Sequence, residues 1–278
     1  MTTVASAADQ IRNVVVAAVP GQVGLQLVTL YSHTLKRRAD LTLYLPSVEE
    51  GRRIPLLILM HGVYGSHWNW WLLGDAPAIA AEMLAAREIG PFAIAMPSDG
   101  LWGDGSGYVM HRDCDAENWI MRDVPDAVHA VNESVQTGRL YLAGQSMGGY
   151  GALRLGVKHA SRVAGVSAHS PVTKLEELAQ YVHEPLKDYL HSGKRDTEIL
   201  YWIRRNRSQL PPIRFDCGTE DALLAGNRAL HKALKREKTT HLYEEHPGGH
   251  DWEYWQRQVR DTFRFVSGIM YPSSRAGS

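Results

Sequence analysis

Cysteine is scarce in this 278-residue chain, with Cys114 and Cys217 the only two. One pair of thiols cannot supply the disulfide framework of a small secreted scaffold, so both are expected to be free in a reducing compartment, with a single disulfide in an exported protein as the alternative. An apolar run of transmembrane length is also missing. Residues 1–19 lack a basic stretch followed by a continuous hydrophobic core, so no secretory leader is expected. Charge of one sign is absent too: 30 Lys and Arg balance 30 Asp and Glu. That neutrality leaves no electrostatic footprint for nucleic acid or an anionic membrane. These absences predict a cytoplasmic protein acting on a small molecule, and they leave homo-oligomerisation open. There is no internal repeat and no low-complexity linker. With 44% hydrophobic residues, the chain can bury a large core as one domain over residues 1–278.

What is present is an alternation of apolar strands and amphipathic helices. Residues 25–30 and 41–45 flank the polar Lys36-Arg37-Arg38 turn and predict an antiparallel hairpin at one sheet edge. Residues 54–60 form a continuous apolar run of buried-strand type, followed by a helix over 75–87 and a strand over 92–96. A Gly- and Asp-rich loop covers 98–115. Ile120, Val124, Val128, Val131 and Val135 then predict a helical face over 117–136. Strands follow at 139–143, 163–168, 213–217 and 241–245, with helices at 150–159, 223–235 and from Trp252 onward. Residues 171–212 interrupt the alternation and read as an insertion over the site, and 273–278 read as a disordered tail. The fold class is α/β: a mostly parallel sheet with helices on both faces.

Between the 139–143 strand and the next helix lies Gly144-Gln145-Ser146-Met147-Gly148. A serine on a sharp strand-to-helix turn needs small neighbours two residues away on each side, and Gly144 and Gly148 meet that need. The turn lifts the Ser146 hydroxyl above the sheet edge and turns the Met147 amide toward a developing oxyanion. A serine hydroxyl is a poor nucleophile at neutral pH, so it needs an imidazole and an acid. Asp221 follows the 213–217 strand and His250 the 241–245 strand, each at the carboxyl edge where open α/β sheets build their sites. Asp221 could instead cap the next helix, and Glu220 competes with it as the acid. His241, His246 and His250 lie close in sequence, but their spacing matches no helical ligand face, and no metal is expected. A second oxyanion amide is expected from the glycine-rich loop His61-Gly62-Val63-Tyr64-Gly65, with Val63 as the donor. Tryptophans crowd the same loops, and Trp70, Trp102 and Trp119 are candidates for lining a substrate pocket; Trp102 has no obvious core to join.

In these pieces the chain resembles the esterase branch of the α/β-hydrolase superfamily, which includes S-formylglutathione hydrolases, feruloyl and acetylxylan esterases, enterochelin-esterase-like enzymes and mycolyl transferases. The matching stretches are His61-Gly62 with Gly65, Met96-Pro97, residues 144–151, Cys217-Gly218-Thr219-Glu220-Asp221, and Gly249-His250-Asp251-Trp252 with Trp255, spanning about residues 25–270. The resemblance implies an α/β-hydrolase fold and a serine esterase with triad Ser146, Asp221 and His250. It favours Asp221 over Glu220 and implies oxyanion amides from Val63 and Met147. The expected activity is hydrolysis of a small acyl ester, feruloyl, acetyl or similar, without a cofactor. An acyltransferase using the same acyl-serine, or a silent binding protein on the same fold, are the alternatives.

Overall fold

A computed structural model describes residues 11–272; the tail expected at 273–278 lies outside them. In chain order the elements are β1 (Ile11–Ala18), β2 (Leu25–Ser32), β3 (Arg37–Tyr44), β4 (Ile54–Met60), α1 (Asn69–Leu72), α2 (Ala76–Ala85), β5 (Ala93–Pro97), α3 (Ala116–Asn118) and α4 (Val124–Val131). Then come β6 (Val135–Gln145), α5 (Met147–Lys158), β7 (Val163–His169), α6 (Leu175–Leu178), α7 (Ile199–Arg205), β8 (Ile213–Gly218), α8 (Leu224–Arg236), β9 (Leu242–His246) and α9 (Trp252–Met270). Among the described residues, nine strands join one sheet in the order β1-β2-β3-β5-β4-β6-β7-β8-β9. Pairs from β5 through β9 are parallel, while β1, β2 and β3 run antiparallel at one side.

The continuous apolar run of β4 is explained by burial on both sheet faces. Leu56, Ile58 and Met60 join one core with Val124 and Val128 of α4 and Leu153 of α5. Leu57 and Leu59 face the other core, with Met83 of α2 and Val259, Phe263 and Val266 of α9. Alternate residues of one strand therefore serve two cores, and this pins the register of the strand that precedes the site.

Three expectations need correction. The 25–45 hairpin is present, but β1 pairs outside it, so β1 and not the hairpin is the edge. The 117–136 helix is broken: a π-turn occupies Trp119–Asp123, and α4 stops at Val131. Asn132 then turns extended (φ −151°, ψ 104°), and Val135 pairs with Ile54 as the first residue of β6. Its periodic spacing is real, but it fills the core from a strand. His241 precedes β9, which spans Leu242–His246. Both cysteines are buried and free.

Candidate active site

The elbow is built from close backbone approach. Ser146 sits between β6 and α5 at φ 54°, ψ −119°, a conformation unusual for a residue with a side chain. A Cβ on Gly148 would lie 2.4 Å from the Met60 carbonyl oxygen and 2.5 Å from that of His61, and one on Gly144 would lie 2.6 Å from Gly148. Both glycines are therefore required by contact with fixed backbone. The Ser146 amide donates to the His169 carbonyl (3.0 Å), and its own carbonyl accepts from Tyr150 (3.0 Å) and Val172 (3.1 Å). Strained backbone held by its surroundings in this way is characteristic of functional positions.

The three residues singled out by the sequence come together. His250 Nε2 lies 2.9 Å from Ser146 Oγ, and His250 Nδ1 lies 2.7 Å from Asp221 Oδ2. Asp221 Oδ1 accepts the Leu223 amide at 2.8 Å; Leu223, not Asp221, is the N-cap of α8, so the aspartate holds its own turn instead of capping the helix and keeps its other oxygen for the histidine. Burial works to raise the Asp221 carboxyl, but the hydrogen bond and charge of His250 and the Leu223 amide outweigh it and hold it below the usual carboxylate range. Glu220 is exposed, and its amide donates to the Gly248 carbonyl (3.0 Å), tying the Asp221 loop to the His250 loop. Gly218 permits that tie, since a Cβ there would lie 2.2 Å from the Gly248 oxygen.

Val63 and Met147 converge on Gly105, where a Cβ would meet Met147 Sδ at 2.6 Å and Val63 Cγ1 at 3.1 Å. Met147 opens α5, where an amide has no intrahelical acceptor. Among the described residues the Val63 amide has no protein acceptor either. His61 Nδ1 bonds the Gly62 carbonyl (2.6 Å), and Tyr108 donates to the His61 carbonyl (2.9 Å), which fixes this loop from below.

Two of the three tryptophans are elsewhere. Trp70 is buried, donates through Nε1 to the Met60 carbonyl (2.9 Å) and packs edge-on against Trp252. Trp119 is fully buried and donates to the Ser98 carbonyl (2.7 Å). Both hold site loops to the core instead of facing substrate; indole area and one N–H make them suited to that. Trp102 does find neighbours: half-buried, it stacks on His111 with ring centroids 3.6 Å apart and meets Tyr189 edge-on. His241 reaches His231 (2.8 Å), not His250. A groove of about 960 Å³ lies between the insertion and α8, lined by Leu175, Ile199 and Ala229, and no triad residue borders it.

Sequence reasoning missed a buried polar network under the elbow. His169 Nδ1 bonds Asp216 (2.8 Å), its Nε2 bonds Thr262 (2.8 Å), and Asp216 also takes Tyr254 (2.8 Å) and Arg214 (2.5 Å). It links the end of β7, whose His169 carbonyl holds Ser146, to the start of α9 next to His250. Arg214 and Asp216 inside an apolar strand were the available signal, because buried charges persist only when paired.

Residues 32–266 match the Esterase family, described as "Putative esterase". The chain is 26% identical to an acetyl esterase of Caldicellulosiruptor saccharolyticus over 272 residues, covering 87% of this chain and 97% of that one. It is 27% identical over 163 residues to an S-formylglutathione hydrolase of Rattus norvegicus, covering 54% of this chain and 57% of that one. Among solved structures, a ferulic acid esterase superposes with a TM-score of 0.79 at 23% identity, over 88% of this chain and 98% of the other. An S-formylglutathione hydrolase of Staphylococcus aureus gives 0.74 at 20% identity, over 87% and 98%. At these identities the structural likeness speaks for the fold, while the family match covers most of the chain. The chain belongs to the Esterase family and is a carboxylic ester hydrolase.

Proposed function

We propose that this enzyme hydrolyses esters of small acyl groups through an acyl-serine intermediate. The observation that carries the reading is the hydrogen-bonded chain Ser146–His250–Asp221, at 2.9 and 2.7 Å, with the serine on a positive-φ elbow. Ser146 Oγ attacks the ester carbonyl while His250 Nε2 takes its proton. Asp221 accepts from Nδ1–H, selects the tautomer with a free Nε2 and stabilises the imidazolium. The amides of Val63 and Met147 receive the oxyanion. Collapse of the tetrahedral intermediate expels the alcohol, which takes the proton from His250. Water then attacks the acyl carbon as His250 takes its proton, and the Oγ–acyl bond breaks as His250 returns that proton to Ser146, releasing the acid.

A small acyl group fits the crowding at the elbow, where Ser146 is 4% exposed and Met147 is fully buried against Gly105. Acetyl and feruloyl esters are the first candidates, as the names of the acetyl esterase and ferulic acid esterase relatives suggest. Two buried free thiols suit a reducing compartment, and among the described residues no helix is long and apolar enough to cross a membrane. Ser146→Ala tests the assignment: turnover of p-nitrophenyl acetate should fall by several orders of magnitude with Tm unchanged. Retained hydrolysis in the folded variant would refute it.

A further inference from the structure

The departing alcohol must take its proton from His250 Nε2, so its oxygen must come within hydrogen-bond reach of that atom. The body of the alcohol therefore lies beside the imidazole. Asp221 occupies the Nδ1 side of the ring. Trp255 packs edge-on to it at 4.9 Å and is itself buried. Tyr181 is different: its ring runs parallel to the imidazole, 12° between planes and 6.1 Å between centroids, and it is only half-buried. Among the described residues, Tyr181 is thus the one partly exposed aromatic ring found beside the imidazole that the alcohol must approach.

The position of that ring is fixed by a knot of three loops. The Tyr64 hydroxyl donates to the Tyr181 carbonyl. The Tyr64 amide donates to the Asp104 carbonyl (2.8 Å), and the Asp104 carboxylate accepts both the amide (2.9 Å) and Nδ1 (2.5 Å) of His183. Glu184 closes the knot by accepting the Asp104 amide at 3.1 Å. Tyr64 is 64% exposed and sits at φ 58°, a strained setting for an aromatic residue that serves to aim its hydroxyl at the insertion. It is also the residue after Val63, so the insertion is tied directly to the oxyanion loop.

We infer that Tyr181 is a specificity residue, an aromatic platform for a flat, ring-shaped leaving alcohol, held in place by Tyr64. The inference rests on the acyl-serine reading above, and the test separates the two. Steady-state kinetics on 4-methylumbelliferyl acetate and ethyl acetate keep the acyl group constant and change only the alcohol. Tyr181→Ala should lower kcat/KM for the aryl ester about 3- to 10-fold more than for ethyl acetate, mainly through KM, the size expected of one aromatic contact. Tyr181→Phe should restore the wild-type ratio, and Tyr64→Phe should shift it part of the way toward that of Tyr181→Ala. Equal losses on both esters would make Tyr181 a mere support for His250, and unchanged kinetics would remove it from the site; either result overturns the inference. Ser146→Ala, run in parallel, reports on the acyl-serine reading alone: residual turnover there would sink that reading whatever Tyr181 does.

Discussion

At the scale of single residues, Asp221 does two jobs with two oxygens, one toward His250 and one toward the Leu223 amide. Asp221→Asn keeps the shape but presents an amide that can favour the wrong imidazole tautomer and cannot stabilise the imidazolium. Steady-state kinetics should show kcat reduced by about 10⁴-fold, as for the corresponding change in other triads. Glu220→Gln should stay near wild type, because that carboxylate faces solvent; a more damaging Glu220→Gln would move the acid by one residue. The thiols give a second expectation. Burial pushes Cys114 up to about 11 and raises Cys217 further, so neither is a thiolate at pH 8. A chromogenic disulfide reagent should find no fast-reacting thiol in the native protein and two after unfolding; rapid labelling of the native enzyme would contradict this burial. The position of Asp221 after a strand was legible in the sequence, but Glu220 shares that loop, and the preference for Asp221 came from the family resemblance. The places of Trp70 and Trp119 were not legible, because an indole beside a glycine-rich loop reads the same whether it points outward or is pinned inward by its N–H.

At the scale of elements, the elbow depends on backbone touching backbone. No rotamer change can relieve a Cβ on Gly148 that meets the Met60 and His61 carbonyls, so Gly148→Ala should cost about 1–3 kcal/mol or more and depress kcat as well. Gly138→Ala, on the exposed part of β6 with no atom within 4 Å of the added carbon, is the matched control. Thermal unfolding of the pair should show a lower Tm for the first and none of that loss for the second; equal values would mean the elbow has slack. α5 is also held through Arg154, which is fully buried and bonds Glu117 (2.7 Å) and Asp196 (3.0 Å), joining the helix to α3 and to the insertion. Removing one carboxylate, as in Glu117→Leu, should destabilise by about 3–5 kcal/mol by stranding buried charge, read by denaturant titration; a loss below 1 kcal/mol would mean the cluster is solvated. Strands β4 and β5 were legible because burial on both faces leaves an unbroken apolar run. Strand β1 was not, since most of its residues are exposed. The extended turn at Asn132 cut a valine spacing that sequence alone renders as one long helix.

At the scale of the molecule, buried carboxylates couple stability to pH. Burial would raise Asp216, but His169, Arg214 and Tyr254 outweigh it and hold it at about 2. Burial is likewise outweighed at Glu117, by Arg154, His159 and Lys158, which hold its carboxyl far below the usual range. With Asp221 also depressed, all three contribute stability above the ordinary carboxylate range, and that stability is lost as pH falls through their folded values. Denaturant titrations from pH 7 to 2 should show a steep decline below about pH 4, set by the Asp216 window from 3.8 to about 2; constant stability down to pH 2 would contradict the network. The overall architecture and the carboxyl-edge placement of the site followed from strand–helix alternation and the elbow motif. The knot of Tyr64, Asp104, Tyr181 and His183 did not, because loops that meet only in space leave no periodicity to read. The acyl-serine claim itself is tested most directly by treating the enzyme with a fluorophosphonate and mapping the adduct by peptide mass spectrometry. The account predicts one phosphonyl group per chain, on Ser146, with loss of activity in step with labelling; full inactivation with the adduct on another residue, or none on Ser146, would contradict it.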